Sequence, residues 1–92
     1  MLLTKAMAKD HAKEGIRINA ICPGDVETPM LYDDAKQRGI DQSIALKEAN
    51  ALSPTGRVTQ AHEVAALALY LSTDAAEQIT GTAIPIDGSN SA

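Results

Sequence analysis

Cys22-Pro23-Gly24 runs straight into Asp25, Val26, Glu27 and Thr28. A backbone break is thus followed by side chains and peptide groups able to hold a polar ligand. Pro23 lacks a backbone donor and Gly24 permits a turn closed to other residues, so whatever regular element precedes them must stop there. Two readings stay open on these residues alone: a strand terminator with no ligand, or a ligand loop. The other reactive types give less. Cys22 has no histidine nearby in sequence to activate it and reads as a buried structural thiol rather than a nucleophile. His11 and His62 lie singly on helical segments and make no metal-ligand set. Asp33 and Asp34 read as solvated charge. Met30 and Leu31, apolar residues just past the turn, are candidates for lining a pocket.

The elements that must position this turn follow from periodicity. Residues 1 to about 13 read as a helix, with Leu3, Ala6 and Met7 at helical spacing, lysines elsewhere and Gly15 as the stop. No Ser, Thr or Asp caps its front, which marks Met1 as a truncation point or an alternative start. Residues 16–22 read as a strand covered on most of both faces, ending at the Pro-Gly break. A polar stretch from Asp25 to Arg57 is more lid than core, with one short helix capped by Asp41 and carrying Ile44, Ala45, Leu46 and Ala49. After Thr59, AHEVAALALYLS is the strongest helix, with Val64, Leu67, Ala68 and Leu71 on one face. TAIPI, residues 82–86, is a short strand that Pro85 places at or near a sheet edge, at the loss of a ladder bond. Two strands joined through a helix imply a right-handed parallel crossover. A two-stranded parallel sheet has no stability of its own, so something else must complete it.

Composition limits the function. The 92 residues suffice for one small domain or part of a larger one, and with neither Phe nor Trp the core must come from Ala, Leu, Ile, Val and Met. A net charge of -4 argues against a nucleic-acid backbone binder. The single cysteine fits a reducing, cytoplasmic setting, and no apolar span is long enough for a membrane.

Gly15-Ile16-Arg17-Ile18-Asn19, Cys22-Pro23-Gly24, Thr28, Gly56-Arg57-Val58, Glu63-Val64-Ala65, Leu71, Ile79-Thr80-Gly81 and Ile86-Asp87-Gly88, in that order and spacing, resemble the C-terminal half of short-chain dehydrogenases/reductases. The resemblance covers nearly the whole chain. It implies an α/β fold: the C-terminal part of a Rossmann-like, doubly wound parallel sheet, in the order helix, strand, lid, helix, strand, with residues 25–57 as substrate lid. It further implies binding of NAD or NADP, NAD being the working choice. Pro23 and Gly24 would pass beside the nicotinamide ring, Val26 would offer backbone groups to the carboxamide, and Thr28 would bond the carboxamide or diphosphate. Met30 and Leu31 would line the substrate entrance. The family's phosphate loop, catalytic Ser and Tyr-x-x-x-Lys pair would all lie before Met1, so no catalytic residue is assigned. Tyr32 and Lys36 share the four-residue spacing but follow the Pro-Gly turn instead of preceding its strand, and are set aside.

The function implied is part of an oxidoreductase moving a hydride between NAD(P) and an alcohol or carbonyl compound, working as a dimer or tetramer on a small-molecule substrate. Residues 1–92 alone would be inactive. The alternative is a non-catalytic fragment acting as an oligomerisation or interaction module.

Overall fold

The computed structural model describes residues 2–92; Met1, and with it the question of a truncated or alternative start, lies outside them. Helix α1 (Leu2–His11) continues into a 3-10 turn (Ala12–Glu14) that Gly15 closes in the left-handed region at φ 76°. Only Ala8 of this helix is buried, against the Gly81 turn. Leu3 and Met7 lie on the expected stripe, yet remain 72% and 39% exposed.

Strand β1 (Ala20–Pro23) pairs in parallel with β4 (Ala83–Ile86), from Ala20 opposite Ala83 to Pro23 opposite Ile86. The expected strand over 16–22 is therefore shorter at its start and includes Pro23 at its end. The reason lies in the polar side chains at its start. The Ile18 N–H donates to Thr80 Oγ1, and Asn19 donates through Nδ2 to the Ile79 C=O while its Oδ1 accepts from the Thr82 N–H. The Arg17 guanidinium donates to the carbonyls of Leu71, Thr73 and Ala76. These bonds hold residues 17–19 against the 71–82 segment in place of a regular ladder, and the strand is half-buried, not covered on both faces.

Pro85 sits in β4 without the predicted loss. The Ala20 N–H donates to the Thr82 C=O and the Gly24 N–H to the Ile86 C=O. Ladder bonds thus run through residues 82, 84 and 86 of β4, and the Pro85 nitrogen faces away from β1. Among the described residues β4 pairs with β1 alone, as an edge strand would.

The segment from 25 to 57 departs most from expectation. Besides α3 (Gln42–Leu52), whose N-cap Asp41 accepts from the Ser43 N–H as its position predicts, it contains a second helix, α2 (Pro29–Arg38), read from the sequence as polar coil. Thr28 at the N-cap and Pro29 in the first turn start α2, and Gly39 at φ 71° ends it. The two helices pack on each other, and their Ala35, Ala45 and Ala49 are half of the buried apolar residues among the described ones, so this segment is core as much as covering. A second parallel pair, absent from the sequence reading, joins β2 (Val26–Glu27) to β3 (Thr59–Gln60). It brings the chain just past the Pro-Gly turn against the start of α4 (Ala61–Leu71), the crossover helix packed on β1.

Candidate functional site

Where β1 ends, Gly24, Asp25, Val26, Thr28, Met30, Leu31 and Asp34 line a cleft of about 450 Å³. That is the size range of small-molecule sites, at the carboxyl end of a parallel strand where α/β sheets hold ligands. Of the residues singled out in the sequence, Gly24, Val26, Thr28, Met30 and Leu31 come together in it, while Pro23 stands behind them as the last paired residue of β1.

The β2–β3 pairing sets the chemistry of the cleft. The Asp25 C=O accepts from the Thr59 N–H at 3.0 Å, and Val26 stands opposite Thr59. In a parallel ladder the bonding residues alternate, so the Val26 N–H and C=O turn away from β3 and take no part in the pair. Thr28 caps α2 with extended backbone (φ -140°, ψ 167°), and its hydroxyl makes no capping bond. Met30 is 79% exposed. The cleft thus offers a backbone donor, a backbone acceptor and one hydroxyl beside apolar side chains and the carboxylates of Asp25 and Asp34. The Asp25 side chain is exposed, as is Asp34, 3.6 Å from Arg38.

Gly24 is needed for a different reason from the turn conformation that the sequence suggests: it is not among the glycines with positive φ, but a Cβ built on it would fall 2.8 Å from the Asp87 Cβ, so the chain leaving β4 requires the glycine. A Cβ on Gly88 would come within 2.7 Å of Thr55 Oγ1. Together these close approaches lock residue 24 to the turn after β4 and to the end of the 25–57 segment.

Several contributors were not singled out in the sequence. Glu27 accepts from the Tyr32 hydroxyl at 2.7 Å and from Gln60 Nε2 at 3.0 Å. These bonds, Gln60's first, hold its carboxyl below the usual range, and they raise the Tyr32 phenol above its own. Gln60 and Glu63 form a capping box at the start of α4, and Glu63 also takes both Arg57 nitrogens, at 2.6 and 3.0 Å. The Gln-x-x-Glu spacing was a readable signal for the box; nothing local links Arg57 to it. Cys22 is half-buried within β1. His11 meets Glu14 at 3.2 Å, a pair at i+3 that the sequence reading passed over, but the described residues contain no group of three or more metal-binding side chains.

Residues 1–89 match the family model described as Enoyl-(Acyl carrier protein) reductase. The chain is 48% identical over 86 residues to Dehydrogenase/reductase SDR family member 6 of Aquarana catesbeiana, an alignment covering 94% of this chain and 35% of that protein. It superposes on a C-terminal deletion mutant of the Thermoplasma acidophilum aldohexose dehydrogenase with a TM-score of 0.89 at 31% identity, covering 97% of this chain and 40% of that one. It likewise superposes on YwfH, an NADPH-dependent reductase involved in bacilysin biosynthesis, with a TM-score of 0.85 at 28% identity, covering 97% and 35%. The chain therefore spans little more than a third of the relatives it matches.

Proposed function

The chain belongs to the short-chain dehydrogenase/reductase family, and from that membership we propose that it is the C-terminal part of an NAD(P)-dependent oxidoreductase acting on an alcohol or carbonyl substrate. The observation that carries this is the cleft at the end of β1. There the Val26 peptide unit, turned off its ladder, and the Thr28 hydroxyl, without a capping bond, lie beside Met30 and Leu31. When bound, a nicotinamide coenzyme supplies the hydride donor or acceptor. The chain's own part is orientation. Val26 N–H and C=O present one donor and one acceptor to a carboxamide, which fixes one face of the ring toward the substrate. The Thr28 hydroxyl adds a bond to the carboxamide or diphosphate. Pro23 and Gly24 fix where the strand stops, and Met30 and Leu31, on a 25–57 segment serving as substrate lid, keep water from an apolar substrate.

The family's Ser and Tyr-x-x-x-Lys groups have no counterpart here. NAD is the working choice of coenzyme, and titration with NAD and NADP decides it. Exposed Leu2, Leu3, Leu69 and Tyr70 support a homodimer or homotetramer. Among the described residues no helix is long and apolar enough to cross a membrane, and the lone Cys22 is the support for a cytoplasmic setting.

Thr28→Val in the active enzyme removes one hydroxyl at nearly constant shape. The coenzyme Michaelis constant should rise roughly 3- to 100-fold, the range of one lost hydrogen bond to a neutral or charged partner. Asp25→Asn should change it less than about 2-fold, because that side chain faces solvent. Equal effects from the two substitutions, or none from Thr28→Val, would leave the Pro-Gly turn as a strand terminator only.

A further inference from the structure

Three elements meet at one carboxylate: Glu27 of β2 takes the Tyr32 hydroxyl of α2 on Oε2 and the Gln60 amide, from the N-cap of α4, on Oε1. Both bonds point the same way: the Tyr32 O–H and the Gln60 Nε2–H donate to the carboxylate. Glu27 therefore acts as acceptor on both oxygens, the role of an ionised carboxylate. All three side chains are half-buried. The Glu27–Tyr32 bond closes a short loop of chain, and inside that loop lie Thr28, Met30 and Leu31 of the cleft.

Little else anchors this turn. Pro29 has no N–H, Thr28 makes no side-chain cap, and Met30 is 79% exposed. The one backbone bond closing the turn, Leu31 N–H to Thr28 C=O at 3.0 Å, lies within it and ties it to nothing outside. Ala35, the buried residue of α2, sits further along the helix. We propose that Glu27 is a positioning residue: its carboxylate, bonded between Tyr32 and Gln60, fixes the angle at which α2 leaves β2 and thereby places Thr28, Met30 and Leu31 in the cleft. The functional part of this rests on the cleft's being the coenzyme and substrate site; the mechanical part does not.

Three variants test it: Tyr32→Phe, Glu27→Ala and Glu27→Gln. A glutamine keeps an oxygen for the Gln60 amide and offers an NH2 to the Tyr32 oxygen, so both contacts persist with one reversed. Amide exchange is measured first, without coenzyme. Exchange across 30–36 should quicken roughly 3- to 100-fold in Tyr32→Phe and Glu27→Ala, stay within about 3-fold of the parent in Glu27→Gln, and remain unchanged in β1 and α4. Unaltered exchange in α2, or equal acceleration everywhere, overturns the proposal. Steady-state kinetics of the active enzyme follow. Tyr32→Phe should raise the Michaelis constants several-fold with kcat changed less, and Glu27→Gln should restore them; unchanged constants in a protein with a loosened α2 overturn the functional part. Should α2 loosen as expected while Thr28→Val leaves coenzyme binding untouched, the positioning stands and the coenzyme reading of the cleft falls.

Discussion

Glu63 shows how one side chain can hold several elements and how pH exposes it. Its carboxyl, pulled down to about 2 by the Arg57 bonds first and the Gln60 N–H second, has a folded pKa below the unfolded value near 4.5. Its contribution to stability is therefore complete above the unfolded value and lost as pH falls through about 2. Both partners are partly solvated, at 58% and 30% exposure, so the effect is modest. Glu63→Gln should lower the thermal midpoint at pH 7 and flatten its decline between pH 5 and 2; parallel pH curves for parent and variant would remove Glu63 from the acid transition. At this scale the sequence was legible where chemistry is local. Asp41 and Ser43, two apart, made the cap that a residue pattern predicts, whereas Arg57 and Glu63 lie six apart across a strand and a helix start. Nothing in the sequence links Glu27 to Tyr32 and Gln60, because both partners arrive through folding.

Helix α2 was the element hardest to read. Its ten residues, PMLYDDAKQR, carry no apolar stripe, only Ala35 is buried, and Tyr32 spends its polar end on Glu27. Periodicity detects helices by the large side chains they bury, and a helix docked through one alanine leaves no such trace. α4 was found easily because its sequence is apolar, although none of its residues is buried among the described ones. That makes Ala35 a sensitive point. It is fully buried, on a helix that packs against α3, and Ala35→Leu would force extra carbon atoms into that packing at about 1 to 3 kcal/mol. The variant should melt earlier, with faster amide exchange across 29–52 and little change in β1 and β4. A variant as stable as the parent would mean that α2 and α3 have room between them, and that the segment is looser than its buried alanines imply.

The whole molecule is extended for its size. Its radius of gyration is 16.3 Å, where about 12 Å is expected of a compact domain of this length, and its 6491 Å² of accessible surface compares with roughly 5,100 Å² for its mass. The excess is apolar in part: Leu2, Leu3, Leu52 and Leu69 are each at least 70% exposed, and no large side chain among the described residues is fully buried. The sheet shows the same deficit. Ala20 and Gly24 direct their N–H groups to β4, so by alternation Ile21 turns its N–H and C=O to the opposite edge of β1, where the described residues supply no strand. The lack of Phe and Trp and a lone parallel pair made this need for further surface legible in the sequence, although which faces stay open emerges only with the helices in place. Residues 1–92 produced alone should therefore unfold over a broad temperature range, bind an apolar dye and associate as concentration rises. They should turn over no alcohol or carbonyl with either coenzyme, since neither the family's phosphate loop nor its Tyr-x-x-x-Lys pair is assigned within these residues. Circular dichroism, sedimentation and coupled assays measure each part. A sharp, concentration-independent transition would show that alanine packing and the Arg17, Glu27 and Glu63 bonds suffice to hold an open two-stranded sheet, and turnover surviving repurification would require a proton-transfer group within residues 1–92 and reopen the Tyr32/Lys36 pair.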